Sequence, residues 1–266
     1  MVNLSALKAA GLAPWFDILA LLLWGTLLLK YALTGQLALL IHPNYFALSV
    51  VAGIILCLLG VGKLIQAVKP QVSGGESVQH ITLLPKNVGS ILLILVAIAG
   101  FLIPPTVLAS QTAIQRGLTE ELPLTRSQPE SFRANSPPEE RTLLDWIRLL
   151  NVYPEPDAYT GDPVQIQGFV THLPQLPENY MMVSRFVLTC CAVDAYPVGL
   201  PVRLEGNRED FPPDSWVEVD GKMATETLEL NLEDANTNSS SQPQRQLVIH
   251  ANTIEPIPTP RNPYEY

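Results

Sequence analysis

Chemically capable side chains are densest in the stretch Arg185-Phe-Val-Leu-Thr-Cys190-Cys191-Ala-Val-Asp194-Ala195-Tyr196-Pro197. Two adjacent thiols with a carboxylate three residues after the second could hold a zinc-like divalent metal. His172 or His250 could lend an imidazole from a neighbouring strand. The same pair could cycle between dithiol and disulfide, although a bridge between neighbours is strained. Geometry sets a condition on both uses. Consecutive strand residues face opposite sides, so Cys190 and Cys191 converge only where the strand has ended, and Ala192-Val-Asp-Ala195 can be that turn. In the structural alternative one cysteine is buried and the other lies in a turn, with Asp194 accepting from backbone amides and Arg185 paired nearby. A lone Cys-Cys is a weak zinc signature, because such sites usually show two separated pairs. His42-Pro43 has two readings as well. It could be a ligand or proton-handling group, or a turn in which Pro43 opens a helix, a position that proline favours.

Enzyme chemistry has little to work with. The sequence holds no Gly-x-Ser-x-Gly, no phosphate-cradling glycine loop and no His-Glu-x-x-His, and its four histidines are scattered. We therefore expect no catalytic residue. Three cysteines cannot supply a disulfide framework.

The elements that must position the Cys-Cys stretch are strands. Val164, Ile166, Gly168 and Val170 alternate with Gln165, Gln167 and Phe169, the period of a half-buried strand. Phe186 to Cys191 is a mostly apolar run. Val198, Leu200, Val202 and Leu204 alternate again, with Pro201 pointing to an edge strand. Trp216 to Val219 runs into the turn signal Asp220-Gly221, and Leu247 to Ile254 supplies a last strand. Five short strands over about 90 residues suit a small closed or partly closed barrel, OB-like as the first choice and a small sandwich as the alternative. This β domain spans residues 141–260. A short amphipathic helix precedes its strands, opening at Ser136-Pro-Pro-Glu-Glu and carrying Leu143, Leu144, Ile147 and Leu150 at helical spacing. The Asn/Ser-rich insert 231–244 reads as a loop, and residues 111–140, with Pro123, Pro129, Pro137 and Pro138, as a linker.

Residues 1–110 are of another kind. Windows near 15–33, 45–65 and 89–108 are each close to the roughly 20 apolar residues that a membrane-spanning helix needs, giving an expected anchor of three transmembrane helices. Lys30 and Lys63 lie near window ends, from which a long stem can carry the ammonium to the interface. Pro104-Pro105 breaks the third window near its end. No acidic residue lies deep in a window, which argues against an ion path made by this chain alone.

Charge separates the halves. Residues 1–110 carry five basic and two acidic residues, and the remainder eleven basic and 23 acidic, a net of −12. So negative a surface repels phosphate backbones, and we expect no nucleic-acid partner. Basic residues near the windows (Lys8, Lys69 and Lys86 against none in 35–44) place the N-terminus and the 69–88 loop inside. The C-terminal domain is then extracytoplasmic, an orientation that Arg116, Arg126 and Arg133 oppose.

The hydrophobic N-terminal region with His42-Pro43 is followed by Gly168-Phe169-Val170 and Arg185-Phe186. Cys190-Cys191-x-x-Asp194-Ala195 and Trp216-Val217-x-Val219-x-Gly221 complete the set. In this arrangement the chain resembles the YcgQ-like family of uncharacterised bacterial membrane proteins. The resemblance covers most of the chain and carries no defined catalytic residues. It implies a multi-pass inner-membrane protein acting as the accessory subunit of a two-part system, partnered by a YcgR-like multi-span permease and linked to metal-ion handling. The rival expectations are a thiol-redox protein using Cys190 and Cys191, and a purely structural scaffold.

Overall fold

Runs of Leu, Ile, Val and Ala with no polar stripe form helices whose apolar side chains point all round the axis. Three such helices make the first of two compact units, which divide between Thr106 and Val107. The computed structural model describes residues 13–68, 88–118, 137–228 and 244–266. The central linker and the Asn/Ser-rich insert fall largely outside them.

In the first unit α1 is Ala13–Leu33 (21 residues), α2 is Phe46–Val68 (23 residues) and α3 is Val88–Leu102 (15 residues). At 1.5 Å per residue α1 and α2 reach about 30 Å or more, the thickness of a bilayer's hydrocarbon core, and α3 only about 22 Å. Two helices, Pro14–Leu33 and Pro43–Val68 with its leading turn, are thus long and apolar enough to cross a membrane. The third window, expected at 89–108, is corrected: its helix ends at Leu102, because Pro104 and Pro105 supply no amide donors to continue it.

The chain leaves α1 through Gly35 in the left-handed region (φ 74) and enters α2 through a 3-10 turn, Pro43–Tyr45. His42 precedes that turn, and its Nδ1 accepts the Asn44 amide at 3.1 Å. Proline opens the turn, as its fixed φ favours. Glycine decides how closely α1 and α2 approach. A Cβ on Gly25 would lie 2.5 Å from Cys57 Sγ and 2.9 Å from the Gly53 carbonyl oxygen. Hydrogen bonds join α3 to α1, among them Tyr31 Oη donating to the Gly100 carbonyl at 2.6 Å and Trp24 Nε1 to the Leu93 carbonyl at 3.0 Å. The pairs show α3 parallel to α1, while Gly25 against Cys57 and Leu22 against Gly60 show α2 antiparallel.

The second unit contains α4 (Ser110–Gln115) and α5 (Leu143–Val152), followed by strands β1 (Pro163–Thr171), β2 (Tyr180–Val187), β3 (Tyr196–Arg203), β4 (Trp216–Leu228), β5 (Gln244–Ile257) and β6 (Tyr264–Glu265). Helix α5 starts later than Ser136-Pro-Pro suggested. Pro138–Glu140 is a separate 3-10 turn, and Thr142 caps α5 in a box with Asp145, each side chain bonding the other's backbone amide. Leu143, Trp146 and Ile147 then face the sheet. They are buried with Val164 and Ile166 of β1, Val198 and Leu200 of β3, Val217 and Val219 of β4, and Leu247 and Ile249 of β5. Each large apolar side chain so buried contributes about 1.5–3 kcal/mol.

The strands form one six-stranded mixed sheet in the order β1-β4-β5-β3-β2-β6, with β1 also meeting β2. Of the small closed or partly closed barrel expected from five strands, the closed form is corrected, and the strands number six. β1 and β2 share only Phe169↔Ser184, Val170↔Val183 and Thr171↔Met182, and the C-terminal β6 adds a parallel sixth strand on β2. The β1–β2 approach is tight: a Cβ on Gly168 would lie 2.7 Å from the Ser184 carbonyl oxygen. Pro201 does not mark an edge. β3 lies between β2 and β5, but β5 joins it only at Val202 and Arg203, so the missing amide of Pro201 falls where β5 makes no pair.

Candidate functional site

The Cys-Cys stretch is the connection between β2 and β3. Strand β2 ends at Val187, so residues 190 and 191 escape the alternation that would separate their side chains. Ala192–Asp194 follow as a 3-10 turn, and the chain re-enters the sheet at Tyr196. Cys190 Sγ lies 3.6 Å from Cys191 Sγ and 3.5 Å from Asp194 Oδ2. Thr189 Oγ1 donates to the same Asp194 oxygen. From the other side Arg116 Nη1 donates to the carbonyls of Ala192 at 3.1 Å and Ala195 at 2.5 Å. Cys190 is exposed and Cys191 half-buried, and both are free thiols. Val193 stands at the tip with 87% of its surface exposed.

The electrostatics favour the protonated thiol. The Cys190 pKa is raised by its hydrogen bond to Cys191, by burial and by the hydrogen bond to Asp194. A thiol held protonated is a poor nucleophile, because the thiolate is the reactive form. The loop can offer two sulfurs and a carboxylate to a ligand that displaces protons.

The other expected members of the site are elsewhere. His172 Nε2 lies 2.9 Å from the Phe211 carbonyl oxygen, and His250 Nε2 is 2.6 Å from Glu226 Oε1. Neither imidazole serves the thiols. Arg185 pairs with Glu265 at 2.7 Å, donates to the Asn262 carbonyl at 2.8 Å and lies over the Trp216 ring. It fastens the C-terminal segment to β2 and does not serve the cysteine loop. His42 belongs to the helical unit, where its ring nitrogen caps a turn. Among the described residues no group of three or more His, Cys, Asp or Glu side chains is gathered to hold a metal ion.

A second polar cluster went unread in the sequence. Glu226 of β4 accepts from Tyr180 of β2, from Arg203 of β3 at 2.7 Å and faces His250 of β5 at 2.6 Å. Burial pushes its carboxyl pKa up, but hydrogen bonds from Tyr180, His250 and Arg203 outweigh this and leave it lowered. Tyr180, mainly through burial and then through Glu226, is pushed up to about 12. Four strands contribute one residue each, so no local spacing announces the cluster. The cross-strand registers Tyr180↔Arg203 and Arg203↔His250 bring three of them together, and β4, the other neighbour of β5, supplies Glu226.

A depression on the β unit, about 490 Å³, is lined by Leu149, Val152, Tyr153, Glu155 and Tyr159 among others, and by none of the thiols or Glu226 partners. No curated protein matches the chain. Residues 16–119 match the DUF1980 N-terminal domain and residues 140–266 the DUF1980 C-terminal domain. With both of its domains present in order along most of its length, the chain belongs to the DUF1980 family.

Proposed function

We propose that this chain is a membrane-anchored accessory subunit of a two-part permease system. In this reading the helical unit lies in the inner membrane beside a multi-span partner of the YcgR-like kind, and the β unit is extracytoplasmic and binds a partner or a metal ion. The supporting observation is the surface of α2. Leu48, Val51, Ile54, Ile55, Leu58, Leu59, Val61 and Ile65 are all exposed along it, far more contiguous apolar surface than a water-exposed helix tolerates. Hydrocarbon or a partner's helices would cover it. The run of pairings β1–β2–β3–β5–β4 that returns to β1 supports the finer reading of the β unit as a partly open OB-like barrel, a fold that binds ligands on its faces and loops.

The test is extraction of membranes with alkaline carbonate, then co-purification of full-length protein in mild detergent and mass spectrometry. We expect the chain to stay in the pellet and to bring down a multi-span membrane protein in near-stoichiometric amount. Release into the supernatant rejects the anchor, and purification without such a protein rejects the accessory role.

The spacing of Cys190 and Cys191 favours a metal-binding role within this reading. Two thiolates on one tetrahedral zinc-like ion, with bonds of about 2.3 Å, stand about 3.8 Å apart, and the sulfurs here are 3.6 Å apart. Two thiols are an incomplete set, so Asp194 or the partner would complete it. Metal analysis of the reduced full-length protein, beside Cys190→Ser and Cys191→Ser, decides. Stoichiometric metal lost in both variants supports the site, and a metal-free reduced wild type removes it. A disulfide trapped by thiol alkylation under oxidising conditions would favour the redox alternative instead.

A further inference from the structure

One end of the helical unit holds a cavity of about 470 Å³ whose lining combines charges of both signs with apolar walls. Asp17 and Trp24 come from α1, Leu56 and Lys63 from α2, and Ser90 and Leu93 from α3. Because α1 and α3 are parallel and α2 antiparallel, Asp17, Ser90 and Lys63 fall at the same end. The Ser90 hydroxyl donates to Asp17 Oδ1, and the Trp24 indole N–H donates to the Leu93 carbonyl at 3.0 Å, fixing the ring between α1 and α3. Among the described residues no carboxylate forms an ion pair with Lys63. Trp24 is seven residues beyond Asp17, and Leu56 seven residues from Lys63 in the same direction. Ala20 and Leu21 already line the slot three and four residues beyond Asp17, so its apolar walls begin roughly 5 Å along the axis from the charges and reach roughly 10 Å at Trp24 and Leu56. The slot is polar at its mouth and hydrocarbon-like within.

We propose that this slot binds a phospholipid whose headgroup carries both a phosphate and a primary ammonium, with the start of an acyl chain along Trp24, Leu56 and Leu93. The proposal rests on the membrane reading above. Lys63 pairs with the phosphate, and the Asp17 carboxylate, steadied by Ser90, accepts from the ammonium. Both contacts are charge-assisted hydrogen bonds, the strong kind. The acid sets the selectivity. A glycerol headgroup brings the same phosphate with only neutral hydroxyls, so no cation offsets the Asp17 carboxylate. A choline headgroup offers a cation with no N–H to donate.

Native mass spectrometry of delipidated full-length protein in detergent tests this, with equal amounts of phosphatidylethanolamine, phosphatidylglycerol and phosphatidylcholine added. The expected result is retention of phosphatidylethanolamine about tenfold above the other two, the worth of one charge-assisted hydrogen bond. Asp17→Asn should bring phosphatidylethanolamine down to the level of phosphatidylglycerol. Lys63→Gln should weaken all three, and Lys30→Gln, at the opposite end of α1, should change nothing. Equal retention of the three lipids by the wild type overturns the proposal without any variant, as does equal loss in Lys30→Gln. Release of the chain by alkaline carbonate is a separate readout that sinks the membrane reading itself.

Discussion

In α2 the buried residues are Gly53 and Gly60, while leucines, isoleucines and valines stand exposed along its length. The β unit has the reverse order. Trp146, Phe186, Leu143, Leu200 and Met223 are fully buried, and the charged residues are spread over its surface. On the membrane reading proposed above, the two arrangements answer to different surroundings. In water the burial of large apolar groups is what stabilises a fold. For helices in an apolar medium that driving force vanishes, and close backbone approach through small residues takes its place. One chain therefore has two opposite rules for which substitutions harm it.

The largest expected effect is in the β unit. Trp146→Ala should remove about 4 kcal/mol, since it empties a fully enclosed site, and should lower the melting temperature of that unit by about 10 °C. Calorimetry of the full-length protein in detergent checks this, and attachment to membranes should be unchanged. Next is the opposite experiment in the helical unit. Gly25→Leu adds bulk where a single Cβ already meets Cys57 Sγ at 2.5 Å. It should cost about 3 kcal/mol by overpacking, seen as early loss of helicity on heating while the β unit melts normally. If Gly25→Leu were neutral and Leu58→Ala (at an exposed position) severe, the contrast between the units would fail.

A smaller effect concerns Tyr180. Tyr180→Phe removes its hydrogen bond to Glu226 and should cost about 1.5 kcal/mol at neutral pH. Its pKa is raised in the folded state, to about 12, so its contribution is complete below the unfolded value near 10 and is lost as pH climbs towards 12. Wild-type stability should fall across that window, and Tyr180→Phe should remove this component of the fall. Glu226 acts at the other end of the scale. Its folded pKa lies below the ordinary 4.5, so its contribution is present above that value and disappears as acid takes the pH through the folded one. The smallest effect should come from Asp157→Asn. That side chain pairs with Arg245 at an exposed position, where solvent screening leaves a salt bridge little worth, and the melting temperature should not move measurably.

Much of this was readable in the chain itself. The apolar windows, with their charges near the ends, located α1 and α2, because helix formation in such runs is decided locally. The alternations at Val164–Val170 and Val198–Leu204 located β1 and β3 for the same reason. A helix terminus set by a cap depends on side-chain geometry that composition does not carry. Ser136-Pro-Pro carries a start signal by composition, but the cap is Thr142-x-x-Asp145, and α5 begins six residues after Pro137. The cysteine loop was found because Cys190, Cys191 and Asp194 are close in sequence. Arg185 was placed beside it on the same ground, and the tertiary structure assigns it to Glu265, 80 residues away.

What the sequence determined alone is the division into an apolar helical half and an acidic strand-rich half, and the turn that lets two neighbouring thiols converge. These follow from periodicity and composition, which act over a few residues at a time. Only the tertiary structure decided which strands are neighbours, that β6 joins β2, that Glu226 gathers Tyr180, Arg203 and His250, and that Asp17, Lys63 and Ser90 share one cavity. Each of those depends on register or on the sense of packing between distant segments, and a one-residue slip would turn the same side chains to the other face.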